Sequence, residues 1–364
     1  MRILLCGGGT AGHVYPSIAV AETIIKNMPE AKIAYVVTEN GIENRLVNYK
    51  KYYVEACSIK KTLTKENFKN VIGVIKAIKE SKNIIKEFRP DIIFGTGGYA
   101  SFPVLYAGQK LGVKTIMHES NFYPGKVIRY LSKKADYVLL NFEESKQFFN
   151  KKVNSVYTGN PVRTGLTNAN KGRARQQLNI TQKNVVLIFG GSLGAQRINE
   201  IAIDLIENYI RYDKDILLVC CTGKKYFKQI KSLLKDKRLD HLENVLIKDY
   251  IDNLPEYMVA ADVVICRSGA MTISELAVAG KCAIFVPSPN VTDNHQYKNA
   301  KILSDSNAGI LVKEDEKYLI PEIVREMIEK PENRKIYENN IKKFHKNDSN
   351  KLIFQLFNKI TNKK

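Results

Sequence analysis

Short runs of apolar residues, three to six long, recur along the chain between longer stretches whose apolar positions return every three or four residues. The runs at 3–6, 32–37, 91–94, 114–118 and 137–140 read as strands buried on both faces, and the stretches between them read as helices. A second series follows, with strands at 185–189, 215–220, 245–247, 263–266 and 282–286. Strands alternating with helices predict a parallel sheet covered on both faces, here formed twice, in an α/β fold. Between the two series, SVYTGNPVR (155–163) is rich in turn residues and 164–184 is polar, which places the connection near Arg163. The tail from about residue 321 is helical and charged, and is expected to reach back to brace the first domain.

Each series opens the same way, with a β-branched run ending in consecutive glycines: ILLCGGGTAG (3–12) and VVLIFGGSLG (185–194). Glycine lets backbone approach a ligand without interference from Cβ, and the helix that follows offers free N–H groups and a positive dipole end. Phosphate chemistry in a cleft between two nucleotide-type domains is the first hypothesis. A third glycine loop, GTGGYAS (95–101), also follows a strand and could bind a pyrophosphate through backbone amides. Gly7–Gly12 also satisfies GxGxxG, with Glu39 closing the next strand where a ribose-binding acid would sit, so a dinucleotide site stays open.

The first glycine loop runs on into His13, an imidazole at a helix start where the dipole favours the neutral, proton-accepting form. His13 is the candidate general base; a histidine that only packs or caps is the alternative. His118-Glu119-Ser120-Asn121 closes the strand after the third glycine loop, at the C-terminal sheet edge where ligands bind in open α/β folds. In the second half, RSGAMTISE (267–275) opens a helix ending at Gly280, with Ile273, Leu276 and Ala277 on its buried face. Glu275 falls away from that stripe, one turn in, where a carboxylate can grip the vicinal hydroxyls of a ribose; a solvated first-turn acid is the alternative. DNHQ (293–296) supplies a polar cluster suited to sugar hydroxyls.

Composition narrows the class. The chain has 364 residues, 44% of them hydrophobic, enough for two ordinary domains. It has no apolar run of transmembrane length and no signal-peptide pattern after Met1-Arg2, so a cytoplasmic protein is expected. The six cysteines (Cys6, Cys57, Cys220, Cys221, Cys266, Cys282) lack CxxC spacing, which argues against disulfides and zinc. The net charge of +20 suits an anionic partner, but no aromatic-interleaved basic stripe or helix-turn-helix appears, and nucleic acid is not expected.

Taken together the motifs resemble one family, the bacterial N-acetylglucosaminyltransferases that convert lipid I to lipid II in peptidoglycan synthesis. GGGTAGH (7–13), GTGGYASFP (95–103), HESN (118–121), TGNPVR (158–163), GGSLGAQRIN (190–199), SGAMTISEL (268–276) and DNHQYKNA (293–300) match it in order, over residues 1 to about 310. The resemblance implies a GT-B architecture of two Rossmann-like domains facing each other across a cleft. Residues 1–163 would bind acceptor and membrane, residues 164–340 UDP-sugar, and 341–364 would form a helix returning to the first domain. It further implies inverting transfer from UDP-N-acetylglucosamine to the 4-hydroxyl of the lipid-linked muramoyl pentapeptide.

Carried over by motif position, Thr10, Ala11, Gly12, Asn121, Arg163, Ser192, Ile251, Ala270, Met271, Thr272, Ile273, Ser274, Glu275 and Gln296 are donor-site residues. Uracil would lie near Ile251, ribose on Glu275, diphosphate near Ser192 and Ala270, and the sugar near Asn121 and Gln296. Gly97, Gly98, Tyr99 and Ser101 form the acceptor loop, and His13 is catalytic. Three positions depart from the commonest pattern: Ala11 replaces a glycine, and Ser120 and Leu193 each replace a glutamine. A Cβ at Ala11 requires the backbone there to avoid positive φ.

With helix N-termini, Arg163 and Arg267 to neutralise the departing UDP, and no DxD pair at a strand end, no metal or other cofactor is expected. The nearest rival is a UDP-N-acetylglucosamine 2-epimerase, followed by a nicotinamide-dependent oxidoreductase and a non-enzymatic basic adaptor.

The stretch 65–88 carries Phe68, Val71, Ile72, Ile75 and Ile78 at helical spacing among Lys65, Lys69, Lys76, Lys79, Lys82 and Lys86. That pattern describes either a core-facing helix or a helix lying on an anionic bilayer. The resemblance favours the second, implying peripheral attachment to the inner leaflet, at the cytoplasmic face, alongside other cell-wall synthesis proteins. Phe68, Ile72, Ile75, Lys69 and Lys76 are the membrane residues expected, with charge reversal at Lys69 and Lys76 lowering liposome binding.

Overall fold

In the computed structural model the chain divides into two units, Met1–Val162 with Lys346–Lys364, and Arg163–His345. The structure describes residues 1–55, 65–162, 166, 170–191, 193–346 and 348–361, with backbone alone for Ala11, 65–71 and Thr292. Cys57, Arg163 and Ser192 lie outside the described residues, as do the side chains of Phe68 and Lys69.

Among the described residues the first unit is built on seven parallel strands: β1 (Arg2–Cys6), β2 (Lys32–Val37), β3 (Lys50–Tyr53), β4 (Ile92–Gly95), β5 (Lys114–Glu119), β6 (Tyr137–Leu140) and β7 (Ser155–Tyr157). Their order across the sheet is β3-β2-β1-β4-β5-β6-β7, with Ile3 in register with both Ile33 and Ile92. The central strands are apolar throughout because helices cover both faces: Leu4, Cys6, Ile93, Met117 and Val138 pack on one side, and Ile3, Leu5, Ile92, Phe94 and Ile116 on the other.

The second unit repeats the plan with β8 (Asn184–Phe189), β9 (Ile216–Cys221), β10 (Val245–Lys248), β11 (Val263–Cys266), β12 (Cys282–Phe285) and β13 (Ile310–Leu311), in the order β10-β9-β8-β11-β12-β13. In both units the chain starts at an inner strand, runs to one edge and returns to build the other side. The crossover direction therefore reverses between β1 and β4, and between β8 and β11, opening a crevice at the carboxyl ends of those strands. Five cysteines are buried in β1, β9, β11 and β12 as small apolar side chains.

The structure adds β3, β7 and β13, which the apolar pattern does not announce. The turn-rich segment 155–163 begins with β7, whose Val156 pairs with Leu139 at the sheet edge. The tail also divides. Helices Ile320–Glu329 and Pro331–Ile341 remain in the second unit, with Val324, Met327, Ile328 and Ile341 buried. Only the helix Ser349–Thr361 joins the first unit, inserting Ile353 and Phe357 into its core, with the Phe357 and Phe94 ring centroids 5.6 Å apart.

The helix Lys65–Phe88 has a buried face and an exposed one. Ala77, Ser81, Ile84, Ile85 and Phe88, spaced i, i+4, i+7, i+8, i+11, are its buried face. Ile72 and Ile75 are 54% and 64% exposed and share the opposite face with the exposed Lys79 and Lys86. Lys76 is paired with Glu55 at 2.7 Å and lies 3.9 Å from Glu80, so its charge is already matched within the protein.

Candidate functional site

The crevice of the first unit is formed where β1 and β4 end. The helix Ala11–Asn27 starts there with Thr10 at its cap, no side-chain capping bond and no acidic residue in its first turn, the arrangement that leaves a helix start available to an anion. Ala11 is already helical, so the cost anticipated for a Cβ at this position does not arise. Gly12 follows it in the exposed first turn.

His13 is the third residue of the helix. Its Nδ1 lies 3.2 Å from the Gly8 carbonyl and 3.2 Å from the Thr10 hydroxyl. A carbonyl only accepts, so the contact with Gly8 is a hydrogen bond in the Nδ1–H tautomer, the form in which Nε2 is the basic nitrogen. The Thr96 hydroxyl donates to the His13 backbone carbonyl and ties the helix to the end of β4.

The loop after β4 packs directly against this group. Gly98 has φ +79°, and a Cβ there would overlap the Gly8 carbonyl and meet His13 Nδ1 at 3.1 Å. Gly97 runs past the other edge of the imidazole, and the Tyr99 ring covers Gly9. Ser101 is buried and donates its hydroxyl to the Gly98 carbonyl at 3.0 Å, so it braces the loop from within. Thr10, His13, Gly97, Gly98 and Tyr99 thus form one constellation.

At the end of β5, the Glu119 carboxyl accepts the Asn121 amide at 2.9 Å, the Asn121 side-chain nitrogen at 3.2 Å and the Gly125 amide at 2.8 Å. Burial pushes this carboxyl up to about 7, against the lowering effect of those bonds. Its neighbour His118 is buried and donates Nε2–H to the Gly159 carbonyl at 3.1 Å; burial holds it down at about 4. His118 is therefore neutral at pH 7 and serves the fold. Ser120, where the commonest motif has glutamine, places its hydroxyl 3.4 Å from His118 Nδ1.

In the second unit the corresponding crevice is formed by the loop after β8 and the helix Ala270–Ala279 after β11. Gly194 has φ +72°, and a Cβ there would overlap the Thr222 carbonyl, so the β8 and β9 loops abut only because this position is glycine. Leu193, beside it, is 78% exposed. The helix has Gly269 at its cap, no side-chain capping bond and no first-turn acid, which keeps its positive end electrostatically open to a diphosphate.

Ala270, Met271, Ile273 and Ser274 are buried in that helix, with Thr272 half-buried. Glu275 is 6% exposed, which overturns the solvated-acid alternative. Gln296 is brought to the same helix start: Ser268 donates to its backbone carbonyl at 2.8 Å, and its Oε1 accepts the Ser288 amide at 2.8 Å. Ile251 is buried just beyond β10.

Arg267 does not fill the role anticipated for it. Its guanidinium is paired with Glu314 and donates to the Val286 carbonyl at 2.9 Å, so its charge is spent inside the unit. Among the residues assigned to the donor, Thr10, Ala11, Gly12 and Asn121 belong to the first unit, and Ile251, Ala270–Glu275 and Gln296 to the second.

One acid was missed. Glu39, the residue the dinucleotide reading required, is exposed, whereas Glu43 four positions on is fully buried and accepts the Gly9 amide at 3.2 Å. The signal was available in Thr38 and Gly41, whose small or absent side chains make room for the carboxyl of an acid in the following turn.

Two Rossmann-like units, each with its glycine loops at the strand-order reversal, make up the GT-B fold. The family model described as glycosyltransferase family 28 N-terminal domain matches residues 3–140, and that of the family 28 C-terminal domain matches 185–355. A relative from Bacillus subtilis, named UDP-N-acetylglucosamine--N-acetylmuramyl-(pentapeptide) pyrophosphoryl-undecaprenol N-acetylglucosamine transferase, is 39% identical over 321 residues, 87% of each chain. The chain belongs to this family of transferases.

A crystal structure of MurG from Acinetobacter baumannii superposes with a TM-score of 0.74 at 24% identity, covering 98% of this chain and 99% of the other. A UDP-GlcNAc 2-epimerase from Neisseria meningitidis shares the fold at a TM-score of 0.68 and 18% identity, covering 99% and 100%. The oxidoreductase reading is set aside by the family membership and by the exposure of Glu39.

Proposed function

We propose that the chain transfers N-acetylglucosamine from UDP-N-acetylglucosamine to the 4-hydroxyl of lipid I, giving lipid II, by a single inverting displacement that uses no metal. The observation that supports this reading is the contact of His13 Nδ1 with the Gly8 carbonyl at the mouth of a glycine loop, which suits Nε2 to accept a proton. The acceptor hydroxyl gives its proton to Nε2 while its oxygen bonds to the anomeric carbon. The bond from that carbon to the diphosphate breaks, and the electron pair leaves with UDP. The negative charge that develops falls to the helix start at Ala270, with Glu275 on the ribose and Gln296 on the sugar.

Incubation with UDP-N-acetylglucosamine and a short-chain lipid I analogue tests the reading. UDP release is expected only when the analogue is present and at the same rate in EDTA. Release without an acceptor would favour the epimerase class, and loss of turnover in EDTA would remove metal independence.

Attachment to the inner leaflet is the second part of the proposal. No helix among the described residues is long and apolar enough to cross a membrane. What supports peripheral docking is the outward face of the helix Lys65–Phe88, where Ile72 and Ile75 stand among Lys79 and Lys86. Reversing Lys76 would set a new carboxylate beside Glu55 and Glu80 and confound the result, so the apolar pair is the better target. The double variant Ile72→Glu with Ile75→Glu is expected to weaken binding to anionic vesicles at least tenfold, about 1.4 kcal/mol or more, with UDP-sugar binding unchanged. Unaltered sedimentation with such vesicles would exclude this face.

A further inference from the structure

Glu43 sits in the short helix Ile42–Leu46 after β2, buried, and every partner its carboxyl has on these bonds is a donor. The Thr38 hydroxyl and amide reach Oε1 at 2.6 and 3.2 Å, and the Gly9 amide reaches Oε2 at 3.2 Å. The Gly9 amide is one end of a peptide unit whose other end, the Gly8 carbonyl, receives Nδ1 of His13 at 3.2 Å. A trans peptide points its N–H and its C=O in opposite directions, so Glu43 and His13 hold the same planar group from its two sides.

We propose that Glu43 is a positioning residue for His13, acting through the Gly8–Gly9 peptide as a carboxylate–peptide–imidazole relay. The proposal rests on the reading of His13 as the general base. An amide that donates to a negatively charged acceptor is polarised, and its carbonyl becomes the stronger acceptor for the next bond in the chain. That fixes the Nδ1–H tautomer. When Nε2 takes the proton of the acceptor hydroxyl, the positive charge on the ring appears in a field already set for it.

The glycines around the relay give it independent support. A Cβ on Gly8 or on Gly41 would run into the Glu43 carboxyl, and one on Gly98 into the Gly8 carbonyl. Phosphate binding does not require Gly41 to be bare, since it lies outside the phosphate-type loops; clearance for the Glu43 carboxyl does. The frame is held on both flanks, by Tyr35 donating to the Gly7 carbonyl at 2.7 Å and by Thr96 donating to the His13 carbonyl.

The test is a cycle of Glu43→Gln and His13→Ala in the full chain, assayed with UDP-N-acetylglucosamine and the lipid I analogue. In Glu43→Gln either orientation of the amide deprives one backbone N–H of its acceptor, and kcat is expected to fall about 10- to 100-fold with the donor KM within about twofold. In the His13→Ala background the same change is expected to alter kcat less than about twofold, because the group it serves is gone. Equal losses in both backgrounds, or no loss in either, would overturn the relay. Full turnover by His13→Ala would instead remove the base reading on which it rests. Nitrogen-15 NMR of the unmodified chain gives a readout that needs no variant: His13 is expected to carry its proton on Nδ1, and an Nε2–H tautomer would overturn the relay however Glu43→Gln behaves.

Discussion

His13→Ala is expected to lower kcat about 10²–10⁴-fold, some 3–5 kcal/mol of barrier, while the KM for UDP-N-acetylglucosamine stays within about twofold. The split follows from where the groups are. In the proposed mechanism the imidazole acts on the acceptor hydroxyl, whereas most of the donor contacts, from Ile251, Ala270–Glu275 and Gln296, come from the second unit and leave only Thr10, Ala11, Gly12 and Asn121 on the side of His13. His13→Asn sharpens the test. Its side-chain nitrogen can take over the bond from Nδ1 to the Gly8 carbonyl and preserve the loop, yet it offers no basic nitrogen in place of Nε2. Both variants are expected to be equally impaired. Recovery of kcat to within about threefold by the asparagine would mean that His13 only packs and caps.

The second large effect is on stability, and it comes from two neighbours with opposed titrations. Glu119 keeps its proton up to about pH 7 in the folded protein, whereas an unperturbed glutamate loses it near 4.5. Between those values the folded state holds more protons than the unfolded one. The contribution of Glu119 is therefore fully present below pH 4.5 and is lost as the pH rises through 7, roughly 3 kcal/mol in all. His118 runs the other way. It stays neutral down to about pH 4 in the fold and would take a proton near 6.5 when unfolded, so its contribution of roughly 3 kcal/mol is present above 6.5 and lost as the pH falls through 4.

Over pH 4.5–6.5 the two slopes cancel. Substitution separates them. His118→Gln, which can still donate to the Gly159 carbonyl, is expected to make stability fall more steeply with rising pH than in the unmodified chain. Glu119→Gln is expected to make it rise more steeply over the same range. Chemical denaturation at a series of pH values checks both, and differences from the unmodified chain that do not change with pH would contradict the assignment.

The strands that the sequence did not announce share one physical feature. β1, β4, β5, β8 and β11 lie inside their sheets, need apolar residues on both faces, and so announce themselves as unbroken runs. β3, β7 and β13 are edge strands; the fourth edge, β10, was legible because it carries the apolar run Val245-Leu246-Ile247. An edge strand has one side open to solvent and needs little burial, which is why Lys50-Lys51-Tyr52-Tyr53 reads as polar chain and Ser155–Tyr157 as the start of a turn.

The site divides similarly. Glycine loops and the helix starts after them are local signals, and they led to His13 and Ala270 directly. Glu43 and the pairing of Arg267 with Glu314 depend on groups brought together from separate parts of the fold. Residues four apart, such as Glu39 and Glu43, look equivalent until the turn between them is known. The outward face of the helix Lys65–Phe88 was ambiguous because its buried set, Ala77 to Phe88, overlaps in period with the exposed isoleucines.

The insertion of Ile353 and Phe357 beside Phe94 orders events during synthesis. The first unit contains a slot filled by a helix that follows the whole second unit in the chain, so it stays unfinished while that unit is translated, a wait of roughly 10–40 s at ordinary elongation rates. A ribosome that stalls before Lys346 therefore releases a first half whose apolar interior is still open, marking the incomplete product for the chaperones and proteases that patrol such surfaces.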